Sequence, residues 1–289
     1  MRLTTFALAV SALGLSVTMA SAQAASESTA AKPATTPAAA AAPPAETAPP
    51  KSYTVTTGLD FASAYLFRGI RQHSGGMIAQ PYADVAYTTN GVTFDIGTWN
   101  SIHSTAAAGN YYERDYFGSV VFTAGKLKPG LLYTQYSSPA DSFTTVKELA
   151  GTFAFDDSAS PFPLSPKIVL AFELTDGQAD AGLNKGTYLE LGIRPTVKLA
   201  PKATLAIPVK TGLGLNNYYE GTAVGLDGQD HFGYFDTGLS LSVPVVSGKS
   251  GTLEVHGGFD LMWLGDTLKA FNLGDGFKPI ALAGFTYSY

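Results

Sequence analysis

The chain has 289 residues, with 18 basic and 23 acidic side chains and a formal net charge of -5. An acidic chain with no basic cluster argues against nucleic acid as a partner, and the lack of cysteine excludes both a disulfide framework and a lipid-modified N-terminal Cys. Only 14% of residues are charged while 12% are aromatic; a soluble domain would carry roughly 25% charged residues, and a barrel whose outer face meets lipid accounts for the deficit.

Residues 1–22 read as a cleaved secretory signal peptide. Arg2 gives the positive start, Phe6 to Val17 a short apolar run, and Ala20-Ser21-Ala22 a small-residue cleavage site. The apolar run is too short for a spanning helix, which needs roughly 20 apolar residues. Residues 23–51 are dominated by Ala, Pro, Thr and Ser. Such a stretch buries too little apolar surface to offset its ordering entropy, so a disordered or extended linker is expected. No later segment has the length of an apolar membrane helix. The exported remainder, 52–289, is therefore either soluble or a closed barrel, the other backbone arrangement that satisfies its own hydrogen bonds in lipid.

From Tyr53 the chain breaks into segments of period-two alternation. Val55, Leu59 and Phe61 oppose Thr54, Thr56 and Asp60, and Val85 and Tyr87 oppose Gln80, Tyr82 and Asp84. Leu149, Phe153 and Phe155 oppose Glu148 and Thr152, and Leu189, Leu191 and Ile193 oppose Glu190 and Arg194. Leu253, Val255, Phe259 and Leu261 oppose Glu254, His256 and Asp260. The last segment alternates Phe285, Tyr287 and Tyr289 with Gly284, Thr286 and Ser288. Apolar outward and small or polar inward is the pattern of a strand between lipid and a wet lumen. A soluble sheet with one buried face is the alternative.

Twelve strands are expected, near 53–65, 77–88, 91–101, 111–125, 130–137, 144–156, 166–175, 186–199, 202–216, 231–246, 251–264 and 278–289. Short links at Asn90-Gly91, 125–129, Ala200-Pro201 and 247–251 alternate with longer ones at 66–76, 102–110, 176–185, 217–230 and 265–277. Short periplasmic turns alternating with longer outer loops is the asymmetry of bacterial barrels. The link 157–165 is long for its side and 138–143 short for its side. Tyr53, Tyr65, Phe67, Tyr87, Trp99, Tyr133, Phe155, Trp263, Phe285 and Tyr289 sit near segment ends, where an interfacial girdle would lie. The fold class is thus all-β: a transmembrane antiparallel up-and-down β-barrel of about 12 strands.

Three short segments occur in order: Tyr65-Leu66-Phe67-Arg68-Gly69, then Gly97-Thr98-Trp99-Asn100-Ser101, then Glu113-Arg114-Asp115-Tyr116. This series resembles the TorF family of proteobacterial outer-membrane porins, over about residues 58–122. The resemblance implies an outer-membrane location and a barrel, not a solute, and the Ala/Pro-rich segment is no part of it.

The side chains expected to line the lumen are Asp60, Asp84, Asp95, Glu148, Glu173, Glu190, Arg194, Lys198, Lys210, Asp236, Glu254, His256 and Asp260, with Glu113 and Asp115 also able to face it. Their mixed signs allow paired charges with little selectivity or segregated charges that set up a transverse field; the net charge tilts the expectation towards cations. Arg68 and Arg71 stand at the end of the first strand. They either join an internal ion-pair network or form a constriction, since the guanidinium fork suits carboxylate pairs.

No catalytic site is expected. His256 faces inward, His73, His103 and His231 fall in or beside loops, and no G-x-S-x-G is present. No His or Cys pair has metal-ligand spacing, so neither metal nor cofactor is expected. The expected partners are outer-membrane lipid, the barrel-assembly machinery through the strand ending at Tyr289, and small hydrophilic solutes. The function so read is passive diffusion through a channel in the outer membrane of a Gram-negative bacterium. The alternative is a closed structural or adhesion barrel.

Overall fold

A computed structural model describes residues 53–105, 109–200 and 202–289. The expected signal peptide (1–22), the Ala/Pro-rich linker (23–51) and Pro201 lie outside the described residues. The strands are β1 (Tyr53–Phe67), β2 (Ile70–Thr89), β3 (Val92–His103), β4 (Tyr111–Phe122), β5 (Leu127–Ser137), β6 (Val146–Phe155) and β7 (Lys167–Asp176). They continue with β8 (Thr187–Ile193), β9 (Thr196–Ala200), β10 (Ala203–Ala206), β11 (Val209–Asn216), β12 (Phe232–Gly248), β13 (Gly251–Leu264) and β14 (Phe277–Ser288). One short helix, α1 (Asp266–Phe271), precedes β14.

These segments make twelve wall strands. β8 and β9 are one strand interrupted at Arg194-Pro195, and β10 and β11 one strand interrupted at Ile207-Pro208. Proline lacks the N–H a ladder needs, so each strand breaks there. The backbone is still tied across the breaks: Ile207 N–H donates to the Pro195 carbonyl at 2.9 Å and Gly238 N–H to the Pro208 carbonyl at 3.1 Å. β12 pairs with both β10 and β11. Every neighbour pairs antiparallel, and the sheet closes where β1 meets β14, from Thr56 opposite Ser288 to Ala62 opposite Leu282. The fold is a closed twelve-strand antiparallel β-barrel.

The outward face carries Val55, Leu59, Phe94, Ile96, Leu131, Phe153, Leu191, Leu239, Phe259 and Phe285, all half-buried or exposed. The girdle expectation needs one correction. Tyr65, Phe67 and Trp99 are interior residues, only 2%, 1% and 1% exposed. Trp99 shares parity with Asp95 and Ser101 on the inner face of β3, and the register shift between Ala62 and Ala64, just before Tyr65, upsets the alternation near the end of β1.

The turns at 90–91, 123–126, 156–166 and 249–250 lie at the end of the barrel where Tyr53 and Tyr289 meet. The link 156–166 keeps that side despite its length. The larger correction is at 66–76, expected as an open loop. There the ladder continues through Phe67 opposite Ile70, closed by Arg68-Gly69 with φ of 45° and 86°. Positive φ at both turn residues suits the right-handed twist of the flanking strands. Lower down, Ala62 pairs with Ile78 but Ala64 with Ser74, so the β2 side bulges at Gly75 (φ 110°) and Gly76 (φ 65°). Below this bulge the hairpin is wall; above it the chain from Tyr65 to Ile70 is buried.

A hairpin clamped across the lumen

Arg68 stands at the tip of the β1–β2 hairpin, where the two-residue turn leaves its side chain free to extend away from both strands. Its guanidinium meets both carboxylate oxygens of Glu148 on β6, with Nη1–Oε2 at 2.7 Å and Nη2–Oε1 at 2.8 Å. In the ring β6 lies on the far side from β1. A bond from the tip of β1 to Glu148 therefore crosses the lumen. Nη1 also donates to the Tyr218 hydroxyl at 2.8 Å, and the guanidinium lies 3.9 Å from the Tyr188 ring centroid.

The backbone of the tip is held as well. The Tyr219 hydroxyl donates to the Arg68 carbonyl at 2.9 Å, and Asn272 Nδ2 donates to the Gly69 carbonyl at 2.7 Å. Leu66, Phe67 and Ile70 pack in one cluster with Tyr136 of β5, Tyr234 of β12, Leu264 of β13, and Leu268 and Phe271 of α1. A Cβ added at Gly69 would lie 2.4 Å from Leu268 Cδ1, so the turn needs glycine for both its φ and its fit. Breaking one partner of a buried, hydrogen-bonded ion pair costs about 3–5 kcal/mol, because the other charge is left uncompensated. Arg71, half-buried on the returning strand, does not reach Glu148.

Two of the longer loops are laced over this tip. Glu220 Oε2 accepts the Leu183 N–H at 2.6 Å and Glu220 Oε1 accepts Asn184 Nδ2 at 2.6 Å. Asp180 accepts the Glu220 N–H at 2.6 Å and the Gly182 N–H at 2.9 Å. Burial pushes the Asp180 carboxyl up to about 6, and the charge of Glu220 adds to the rise, while the two N–H donors oppose it. Burial also acts to raise Glu220, but hydrogen bonds from Asn184 and the N–H groups of Leu183 and Asn184 hold it below its ordinary value.

The remaining expected residues divide by wall. On β1–β4, below the hairpin tip, Asp60, Asp84, Asp95, Glu113 and Asp115 face the interior, and among the described residues of these strands no Lys or Arg does. His256 of β13 meets Asp60 at 2.7 Å, and the Tyr65 hydroxyl donates to Glu113 at 2.9 Å. Neither carboxylate oxygen of Asp84, which is buried, has a hydrogen-bond partner among the described residues.

On the other wall Lys210 pairs with Asp236 at 3.4 Å, and Glu190 accepts the Tyr188 and Tyr234 hydroxyls at 2.9 and 2.8 Å. Arg194 sits at the first proline break, and Lys198 is exposed on β9 near the terminal end. Glu254 and Asp260 face inward from β13, half-buried. Glu173 has a different job. Both its oxygens accept backbone N–H groups, of Ala179 and Gly186, each at 2.5 Å, so it pins the β7–β8 loop.

The site also uses residues that were not singled out beforehand: Tyr136, Tyr188, Tyr218, Tyr219, Tyr234 and Asn272. The adjacent tyrosines at 218–219, in one of the longer links, were the one available signal. Among the described residues no group of three or more His, Cys, Asp or Glu side chains is placed to hold a metal ion, and no helix is long and apolar enough to cross a membrane.

No protein-family model matches the chain, and no curated protein matches it. Among solved structures, the NanC porin is 11% identical with a TM-score of 0.45, over 81% of this chain and 98% of that one. An outer-membrane channel from Pseudomonas putida F1 is 11% identical with a TM-score of 0.44, over 86% of this chain and 100% of that one. The translocator domain of the autotransporter NalP from Neisseria meningitidis is 13% identical with a TM-score of 0.43, over 83% and 88%. The chain is similar to each of these and is not assigned to their families.

Proposed function

We propose that the chain is an outer-membrane channel for small hydrophilic solutes, with a preference for cations, held closed in this structure by the β1–β2 hairpin. The observation that carries this is the one-sided lumen. Five carboxylates line β1–β4 with no inward Lys or Arg among the described residues of those strands, while the inward cations Lys210, on β11, and Arg194, at the break after β8, stand on the other wall beside Glu190, Asp236 and Asp260. A closed structural barrel is most stable when its interior charges are neutralised in pairs, and among the described residues no cation pairs with the Asp84 carboxylate. Segregated charge sets a field across the lumen that favours cations beside the acidic wall. Outer-membrane lipid, entry through an exported precursor and recognition of the Tyr289 strand by the assembly machinery belong to the same reading, which assigns the barrel no catalysis.

The test is single-channel current in a planar lipid bilayer from the purified mature protein and from an Arg68→Ala variant. Discrete steps in Arg68→Ala with cation preference, reduced by Asp84→Asn, support the reading. Silence from both proteins, each with the heat-modifiable gel mobility of a folded barrel, would leave the closed structural barrel as the function.

A further inference from the structure

Charged residues on the barrel wall below the hairpin tip nearly all point inward. Two do not. Arg114 on β4 lies between the inward Glu113 and Asp115, and Lys147 on β6 lies between the inward Val146 and Glu148. Alternation therefore points both outward, toward lipid. They occupy neighbouring ground: Gln135 of β5 is opposite Lys147 on one side and Tyr116 on the other, and Arg114 is opposite Ser137. Two strand spacings, roughly 10 Å, separate the columns of the two cations.

Both residues also lie toward the same end of the barrel, with Lys147 level in the ladder with Tyr116, two residues from Arg114. Arg114 is near the start of β4 and Lys147 near the start of β6, at the end of the barrel opposite the termini. With the short turns on the periplasmic side and the longer loops outward, the arrangement the channel reading takes, this is the level of the outer-leaflet headgroups. Tyr111, Tyr116 and Asn100 flank Arg114: the Tyr111 hydroxyl donates to Asn100 Oδ1 at 2.5 Å, and the guanidinium lies 5.3 Å from the Tyr116 ring centroid. Arg114 Nε is shielded and has no hydrogen-bond acceptor among the described residues. Lys147 has interactions within the chain and brings its charge to the same patch.

We infer that Arg114, Lys147 and Gln135 form a binding site on the lipid-facing wall for the phosphate group of an anionic outer-leaflet lipid. A cation on a lipid face is tolerated near the interface and disfavoured deeper in the bilayer, so two of them side by side call for an anion at that level. A phosphate offers acceptors to the terminal nitrogens of the Arg114 guanidinium and to Lys147 as a point charge. Gln135, between them, supplies an amide N–H.

The test uses full-length mature protein folded in detergent, incubated with bisphosphorylated lipid A or its dephosphorylated form, with bound lipid counted by native mass spectrometry. The expected result is retention of the phosphorylated lipid, reduced about tenfold in Arg114→Gln/Lys147→Gln, with the dephosphorylated form held no better than by the variant. Equal retention by wild type and variant, equal retention of both lipids, or no retention by wild type would overturn the site. So would an oligomer of wild type that the double variant dissolves, since the patch would then bind a second copy. Heat-modifiable mobility checks folding; if the double variant does not fold, Lys147→Gln alone is expected to show the same loss in smaller measure, and an undiminished count there refutes the proposal.

Discussion

Removing the Arg68 side chain should free the hairpin tip without unfolding the barrel. Arg68→Ala deletes both bonds to Glu148, the bond to Tyr218 and the stacking on Tyr188. The Tyr219 and Asn272 hydrogen bonds survive because they reach backbone carbonyls. Taking the lower end of the cost of breaking a buried pair, about 3 kcal/mol, the ratio of released to clamped tip rises on the order of 100-fold. The chain has no cysteine, so a single Ile70→Cys substitution, at a position with 0% exposure, gives a unique reporter. Maleimide labelling of Ile70→Cys from the outer side should be slow with Arg68 present and faster by that order without it. Unchanged labelling in a folded Arg68→Ala/Ile70→Cys barrel would mean that the ion pair does not hold the tip, and the clamp argument would fail.

Gly69→Ala should open the tip by a second route, because the new methyl meets Leu268 and the residue keeps φ of 86°; a loss on the order of 1–2 kcal/mol is expected from the backbone alone, read by the same labelling. Lys210→Gln removes the cation opposite Asp236 and should raise cation preference in the Arg68→Ala background; an unmoved reversal potential under a salt gradient counts against the lumen path. The loop contact around Asp180 should weaken as pH rises. Its folded value lies near 6 against an ordinary 3.8, so its stabilising contribution is full below the ordinary value and is lost as pH climbs through about 6. Limited proteolysis of 177–186 should therefore quicken across that window, and Asp180→Asn should flatten the change. Glu220 runs the opposite way, its contribution fading as pH falls through its lowered value.

The barrel was legible in the sequence because its signal is repetitive. Period-two alternation recurs along the chain, and wall strands such as β13 need only local information to be recognised. The proline breaks were readable as residues but not as breaks, since period-two alternation runs on through Pro195 and Pro208. The clamp was legible only in part. Arg68 stood out as an arginine next to a glycine, but its partner lies 80 residues away on the opposite wall. Parity across a bulge fails as a guide: Tyr65 shares the odd parity of outward Leu59 and Phe61, yet it faces Glu113. The tyrosines that surround the guanidinium come from separate strands and a loop, and no local pattern brings them together.

The closing ladder between β1 and β14 has a kinetic consequence. Its register joins residues 56–62 to residues 282–288, nearly the full length of the described chain. Bringing such ends together costs about 5 kcal/mol of chain entropy, and contacts this distant in sequence make folding slow. Until they form, two long edges present unpaired N–H and C=O groups, which lipid does not satisfy. Closure is thus a slow step in building this molecule, and a substitution that disturbs Thr56 to Ala62 or Leu282 to Ser288 should show itself first as slow assembly rather than as a weaker finished barrel.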